Sequence, residues 1–316
     1  TQPQRLDPMN VLPLPSSAHP ADRPVRLPVP HALRKALPSS DRAEAALTQA
    51  LDGVSIPALD VSRLAGALAG SAGHAILAAP YCWTDAQLRW AYVVILHHLG
   101  NLNGRYGKLF DVADRGLDHT TSNAPVSKTK AATGMHTDSS DAGYNPDLVA
   151  LLCLQPGASG GRSLLADAQA LFDRLRQAHL ELVSVARTAW PRDVVTPGLT
   201  SCNKAIEDNA IPVFSEDDHG LIFRYMRYWT ERAMAKLDRT VPEELTRLFD
   251  FIDADMDEHA LRFQLRRGDM LVANNRTMVH GREAFENAAG FAPRCLVRAW
   301  VDGFLDSRSQ ALSLRA

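Results

Sequence analysis

The chain of 316 residues has little cysteine, almost no net charge and no long apolar run, and each shortage excludes a class of protein. Its four cysteines, Cys82, Cys153, Cys202 and Cys295, stand far apart, with no CxxC pair and no spacing suited to zinc. That excludes a disulfide framework and a thiolate metal site, and fits reduced thiols in a cytoplasm. Lysine and arginine number 34 against 36 aspartate and glutamate, a formal charge of −2. No basic field is available to hold a polyphosphate backbone, so nucleic acid is not expected as a partner. The longest apolar stretches, such as Leu148-Val149-Ala150-Leu151-Leu152-Cys153-Leu154, fall far short of the roughly 20 residues that a spanning helix needs. No signal-peptide pattern, Gly-rich phosphate loop or internal repeat is found. A soluble, cytoplasmic protein without a membrane partner is expected.

What is present is ordinary globular material, 46% hydrophobic and 22% charged, in a chain long enough to bury a core without staples. Residues 1–40 hold nine of the 19 prolines and little apolar periodicity, which predicts no regular core element but an extended arm, either mobile or laid across the body, that could wrap a neighbouring subunit of a homo-oligomer. The remainder, 41–316, is expected to form one domain. Helical spacing is predicted over 42–51, after Thr84-Asp85, and over 168–179, 231–237 and 242–260, with a short strand at 74–79. Residues 101–134 are rich in Gly, Asn, Thr and Lys and are predicted as an irregular lid loop. Strand-like runs follow at 147–154, 162–167, 211–214, 221–226, 262–265, 269–274 and 294–301, with turns at 215–220 and 266–269 joining paired strands. Strands and helices do not alternate regularly, which disfavours a doubly wound nucleotide fold. The fold class expected is mainly β, an antiparallel sandwich with a helical insertion over about 168–260.

With the cysteines set aside, a metal would have to be held by histidine and carboxylate, so the 11 histidines are the residues to sort. In His136-Thr137-Asp138 a strand would present imidazole and carboxylate on one face, since residues i and i+2 share a side. His179-Leu180-Glu181 has the same spacing but falls at a helix end, where residues two apart diverge by roughly 200°. His280 closes a strong apolar strand pattern near the C-terminus. Two histidines and one carboxylate leave coordination positions open, which suits non-haem Fe(II) and oxygen chemistry better than structural zinc. Arg294 and Arg298 share a face of the last strand, from which Cys295 points away.

The residues HTD at 136–138, PDLVALLCLQPGASGGRSLLADA at 146–168, RRGDMLVANNRTMVHGREAF at 266–285 and RCLVRAW at 294–300 resemble the Fe(II)/2-oxoglutarate-dependent oxygenases of the taurine dioxygenase, γ-butyrobetaine hydroxylase and clavaminate synthase group. The resemblance covers about 70–305. It implies a double-stranded β-helix, or jelly roll, with a cupin-like core. It also implies His136, Asp138 and His280 as iron ligands, Arg294 as the partner of the distal carboxylate of 2-oxoglutarate, and Ser163 as a hydroxyl donor to that carboxylate. Fe(II), with 2-oxoglutarate and O2 as co-substrates, would support hydroxylation with release of succinate. Halogenating relatives have a small residue in place of the carboxylate, so Asp138 favours hydroxylation, while desaturation, epoxidation and cyclisation use the same ligands.

Arg298 is grouped with Arg294 and Ser163 as a 2-oxoglutarate contact, with a place beside substrate or a salt bridge inside the sandwich as the alternatives. Substrate contacts are sought at Ser139, Asp141, Tyr144 and Asn145, directly after the ligand triplet, and at Arg224, Tyr225, Arg227 and Arg276. His97, His98, Trp190 and Trp300 are read as packing residues, and Lys128, Lys130 and His119 as residues of the loop. The expected partner is a small polar molecule, an amino acid or biosynthetic intermediate, free or tethered to a carrier. Two other classes share the pattern: a metal-dependent hydrolase or isomerase of cupin type, and a non-catalytic jelly-roll module. A carboxylate clamp at Arg294 has no evident use in either.

Overall fold

In a computed structural model the described residues are 24–51, 59–105, 107–116, 128–139, 141–193, 202–290 and 292–306. Two sheets carry the architecture. The larger has the strand order Arg26–Pro28, His74–Ala78, Asp269–Asn274, Leu148–Gln155, Cys295–Asp302, Asn101–Leu102, with Phe110–Ala113 also paired to Cys295–Asp302. The smaller has the antiparallel order Leu261–Phe263, Ser163–Asp167, Met278–Arg282, Thr133–His136.

Side-chain alternation fixes how the two lie. Leu148, Ala150, Leu152 and Leu154 of one strand, and Val297, Ala299 and Val301 of its neighbour, pack with Leu88, Tyr92 and Ile95 of the helix Asp85–His97. The intervening Val149, Cys153, Leu296 and Trp300 turn the other way and share a core with Leu165 and Met278 of the smaller sheet. Ala166 and Val279 leave that sheet on its far side, toward Leu171, Leu248 and Ile252 of the helices Ala168–Ala178 and Glu243–His259. The order is helices, larger sheet, smaller sheet, helices, and strands apolar on both faces follow from it.

The helix starts are set locally. Thr84 accepts from the Gln87 amide while Gln87 reaches back to the Thr84 amide, a reciprocal capping box. Asp167 accepts from the amides of Gln169 and Ala170 as its strand turns into the next helix.

Four expectations change. With helical layers on both outer faces the class is mixed α/β, not mainly β. The 1–40 arm takes regular structure where it is described: Arg26–Pro28 is a parallel edge strand on His74–Ala78, and Leu27, Val29 and Leu33 are buried. An edge position tolerates proline because one side of the strand needs no donor. The lid region 101–134 contains two edge strands, Asn101–Leu102 and Phe110–Ala113, too short for periodicity to reveal. Its centre, with His119, lies outside the described residues. The turn at 266–269 does not join a hairpin, because Leu261–Phe263 belongs to the smaller sheet and Asp269–Asn274 to the larger. Among the described residues no helix is long and apolar enough to cross a membrane.

Candidate metal centre

His136 ends the edge strand of the smaller sheet, and His280 lies directly opposite it in the neighbouring strand. Antiparallel pairing brings the two rings to a centroid separation of 4.4 Å. Asp138 follows two residues after His136, past the strand end, and its Oδ1 lies 3.6 Å from His136 Nε2 and 3.7 Å from His280 Nε2. One donor atom from each of the three lies within 4.8 Å of the others. The sheet thus supplies both histidines, and the chain leaving it supplies the carboxylate.

The donor set fits a divalent transition metal. His136 Nδ1 donates to the Gly134 carbonyl at 2.8 Å, which leaves Nε2 as the free acceptor facing Asp138. Burial, with His136 and Arg298 nearby, pushes His280 down to about 3 against the pull of Asp138, so the imidazole is neutral at physiological pH. Burial would raise the Asp138 carboxyl, but Arg298 and the two histidines outweigh it and hold the group far below the usual carboxylate range. Two imidazoles and one carboxylate with an open side are the ligand type of non-haem iron.

Asp138 is held from several directions. Trp300 Nε1 donates to Oδ2 at 2.6 Å, and Arg298 NH1 lies 3.5 Å from Oδ1. Its backbone is clipped by Asn275, whose Oδ1 accepts the Asp138 amide at 2.8 Å and whose Nδ2 donates to the Asp138 carbonyl at 3.0 Å. Sequence reasoning misses both residues. Trp300 is legible in principle, since it shares a strand face with Arg298 and Arg294, whereas nothing in Asn274-Asn275-Arg276 marks Asn275. Replacing Trp300 by Phe is expected to keep the packing and lower iron affinity about tenfold, the cost of a lost partner to a ligand. Anaerobic Fe(II) titration checks it, and unchanged affinity would make Trp300 a packing residue only.

Arg294 is 4% exposed and has no carboxylate partner among the described residues; its NH1 is buried without a hydrogen bond. Burial pushes it down to about 10, which leaves it charged. The guanidinium lies 5.0 Å from the Phe285 ring centre. At Gly161, with φ +69, an added Cβ would sit 3.0 Å from Phe285 Cβ and 3.4 Å from Arg294 Nε, so glycine is what lets the chain pass. Ser163, two residues on, is buried at the start of its strand. A buried cation with an unused donor is costly unless an anion completes it.

Arg298 has other neighbours. It borders a small cavity with Asn103, Gly107, Phe110 and Trp300, and its guanidinium is 5.3 Å from the Phe110 ring centre. Lys128 Nζ is 5.8 Å from the same ring.

The residues sought as substrate contacts turn out to have partners within the protein. Ser139 Oγ donates to the Tyr144 carbonyl, Asp141 pairs with Arg105, Tyr144 OH donates to Asp302, and Asn145 accepts from Asn275. Arg224 is buried against backbone carbonyls. Tyr225 is a core residue whose hydroxyl donates to Asp253, Arg227 pairs with Glu231, Asp250 and Asp253, and Arg276 pairs with Asp217. His179 and Glu181 meet each other at 3.5 Å on the surface, and His98 packs by donating to the Val94 carbonyl and accepting from Leu59.

A model of the taurine catabolism dioxygenases, the TauD/TfdA family, matches residues 82–300. The chain belongs to this family. The triad lies within the matched span, where a protein of this family would need its metal. Relatives include a uridine-5'-phosphate dioxygenase of Streptomyces sp, 31% identical over 195 residues that cover 58% of this chain and 65% of that protein. Another uridine-5'-phosphate dioxygenase, from Amycolatopsis sp, is 30% identical over 68% of this chain and 76% of its own. The chain thus spans about two thirds of the Streptomyces relative. Among solved structures, asparagine oxygenase with Fe(II), hydroxyasparagine and succinate superposes with a TM-score of 0.60 at 15% identity, covering 87% of this chain and 93% of that one. The non-haem iron oxygenase OrfP with iron and α-ketoglutaric acid gives 0.59 at 15% identity, covering 88% and 94%. At that identity the likeness is one of fold.

Proposed function

We propose that this TauD/TfdA oxygenase hydroxylates an unactivated C–H bond of a small polar molecule that carries an anionic group, consuming 2-oxoglutarate and O2 and releasing succinate and CO2. The two facing sheets are read as a double-stranded β-helix. The Arg26–Pro28 strand is counted within the oxygenase domain, and 168–260 is read as an insertion in it. His136, Asp138 and His280 would hold Fe(II); Arg294 with Ser163 would hold the distal carboxylate of 2-oxoglutarate. The observation that carries the reading is the buried Arg294, an unpaired cation at one end of a sandwich whose inner face also holds the triad. A hydrolase or isomerase leaves that charge without a use.

Iron with 2-oxoglutarate, when bound, supplies the activation of O2 that an unactivated C–H bond requires. The chain's residues do the rest. Arg294 offers a planar fork that matches a carboxylate and fixes the co-substrate's direction. Asp138, Trp300 and Asn275 hold the metal-facing groups in one geometry. Phe110, Trp300 and the apolar core between the sheets keep water away from the reacting carbon.

Arg298 is read as the substrate's anchor and not the co-substrate's, because it lies beside Asp138 and borders the small cavity with Phe110, whereas Arg294 packs on Phe285. Relatives named for uridine-5'-phosphate and asparagine both point to substrates with an anionic group. The test is a succinate-release screen of the iron-loaded protein over amino acids, nucleoside monophosphates and phosphonates. Release stimulated by an anionic compound, and lost in Arg298→Gln, is the expected outcome. Stimulation by neutral compounds alone would overturn the substrate class, and substrate turnover without O2 consumption would point to a hydrolase.

A further inference from the structure

The turn that follows Asp138 is held from beneath by one cation. Arg224 stands just past the strand Gly220–Phe223 and is 6% exposed. Its two terminal nitrogens donate to four backbone carbonyls: Ser139 and Ala142 at 3.3 Å each, Tyr144 at 2.9 Å, and Asp141. Four carbonyl dipoles converging on one point repel one another, and the flat multi-donor guanidinium is the side chain that can answer several at once. The nearest ionic influence is Asp141, against which burial brings Arg224 down to about 10, so it stays charged.

The scaffold around Arg224 is rigid. Its amide donates to the Val213 carbonyl, its own carbonyl accepts from the buried Arg192, and Tyr225 and Thr137 exchange backbone and side-chain bonds beside it. Asn209 reinforces the turn by accepting the Ala142 amide at 2.6 Å. The turn itself is strained: Ser139 has φ +75, the left-handed region that a residue with a Cβ adopts at a cost.

Both ends of the turn reach the metal ligand. Ser139 is bonded directly to Asp138, and the Tyr144 ring packs against Trp300 at 5.8 Å, the residue that donates to Asp138 Oδ2. In between, Asp141 pairs with Arg105 from the segment that borders the cavity beside Arg298. We propose that Arg224 is a positioning residue, fixing Ser139 and residues 141–144 and, through them, the Asp138 carboxylate and one wall of the substrate cavity. The proposal rests on the triad being an iron centre.

The test uses full-length Arg224→Met and Arg224→Lys proteins and two readouts, amide hydrogen exchange and Co(II) titration as the metal probe. In Arg224→Met the amides of 141–144 should exchange at least tenfold faster while the helices keep their protection, and Co(II) affinity should fall about tenfold. Arg224→Lys keeps the charge without the fork and should fall between. In Arg224→Ala, millimolar guanidinium should restore both readouts. Unchanged protection and affinity in Arg224→Met would overturn the proposal, as would a uniform loss of protection across the chain, which marks a general stabiliser. If Arg224→Met does not fold, Arg224→Lys with wild-type protection and affinity would overturn it equally. Wild-type protein that takes up no Co(II) would count against the iron centre itself, and the exchange data would still decide whether Arg224 holds the turn.

Discussion

Replacement of Asp138 by alanine is expected to abolish 2-oxoglutarate turnover while the protein stays folded. Asp138 is the one carboxylate of the triad, and it faces both histidines through a single oxygen. Without it two imidazoles remain, a weaker set for a divalent cation, and no carboxylate of the triad offsets the metal's own charge. The loss also strips the acceptor from Trp300 Nε1 and the nearby negative charge from Arg298. The backbone clip to Asn275 uses main-chain atoms of residue 138 and survives the change, so the turn should keep its place. Succinate formation at background level, bound iron below stoichiometric and an unaltered circular dichroism spectrum are the results to look for. Full activity in Asp138→Ala would remove the residue from the ligand set.

Arg294→Met is expected to raise the 2-oxoglutarate concentration for half-saturation on the order of 100-fold, with a smaller effect on the maximal rate. The size follows from truncating one partner of a buried charged pair, typically about 2–5 kcal/mol, with about 1.4 kcal/mol per tenfold. The sign on stability is the opposite of the usual one. Arg294 in the free protein is a buried cation with an unbonded NH1 and, among the described residues, no carboxylate partner, and its charge also weighs on Arg282. Methionine of similar reach removes that desolvation cost, so thermal unfolding of the protein without ligands should come no lower than in the wild type. A normal 2-oxoglutarate requirement in Arg294→Met would show that another residue holds the carboxylate.

The triad is legible in the sequence for a simple reason. Its two histidines sit on strands, where alternation assigns a face from the residue number alone, and Asp138 follows just past a strand end, where few roles are open to such side chains. Alternation carries equally well through Leu148–Gln155 and Cys295–Asp302, which divide their residues between the two cores as expected. It fails at the margins. Asn101–Leu102 and Phe110–Ala113 have too few residues to show a period, and Arg26–Pro28 hides among prolines that only an edge strand admits.

It fails for the turns as well, where polarity says nothing about direction. Arg224 and Arg276 have the composition of substrate contacts, yet one holds four backbone carbonyls and the other pairs with Asp217 at the turn of a separate hairpin. Trp300 errs in the other direction: a large aromatic reads as packing, and its single N–H proves to be the closest hydrogen bond to the metal-facing carboxylate. Asn275 depends on a contact across 137 residues of sequence that no local pattern announces.

The central claim, that the triad and Arg294 together make one iron and 2-oxoglutarate site, is tested most directly by anaerobic optical titration. Protein loaded with Fe(II) should develop a saturable visible charge-transfer band on addition of 2-oxoglutarate, with one equivalent at the end point and none from succinate. The band should be absent in Asp138→Ala and should need about 100-fold more 2-oxoglutarate in Arg294→Met. Folded, iron-loaded wild-type protein that shows no band would contradict the account.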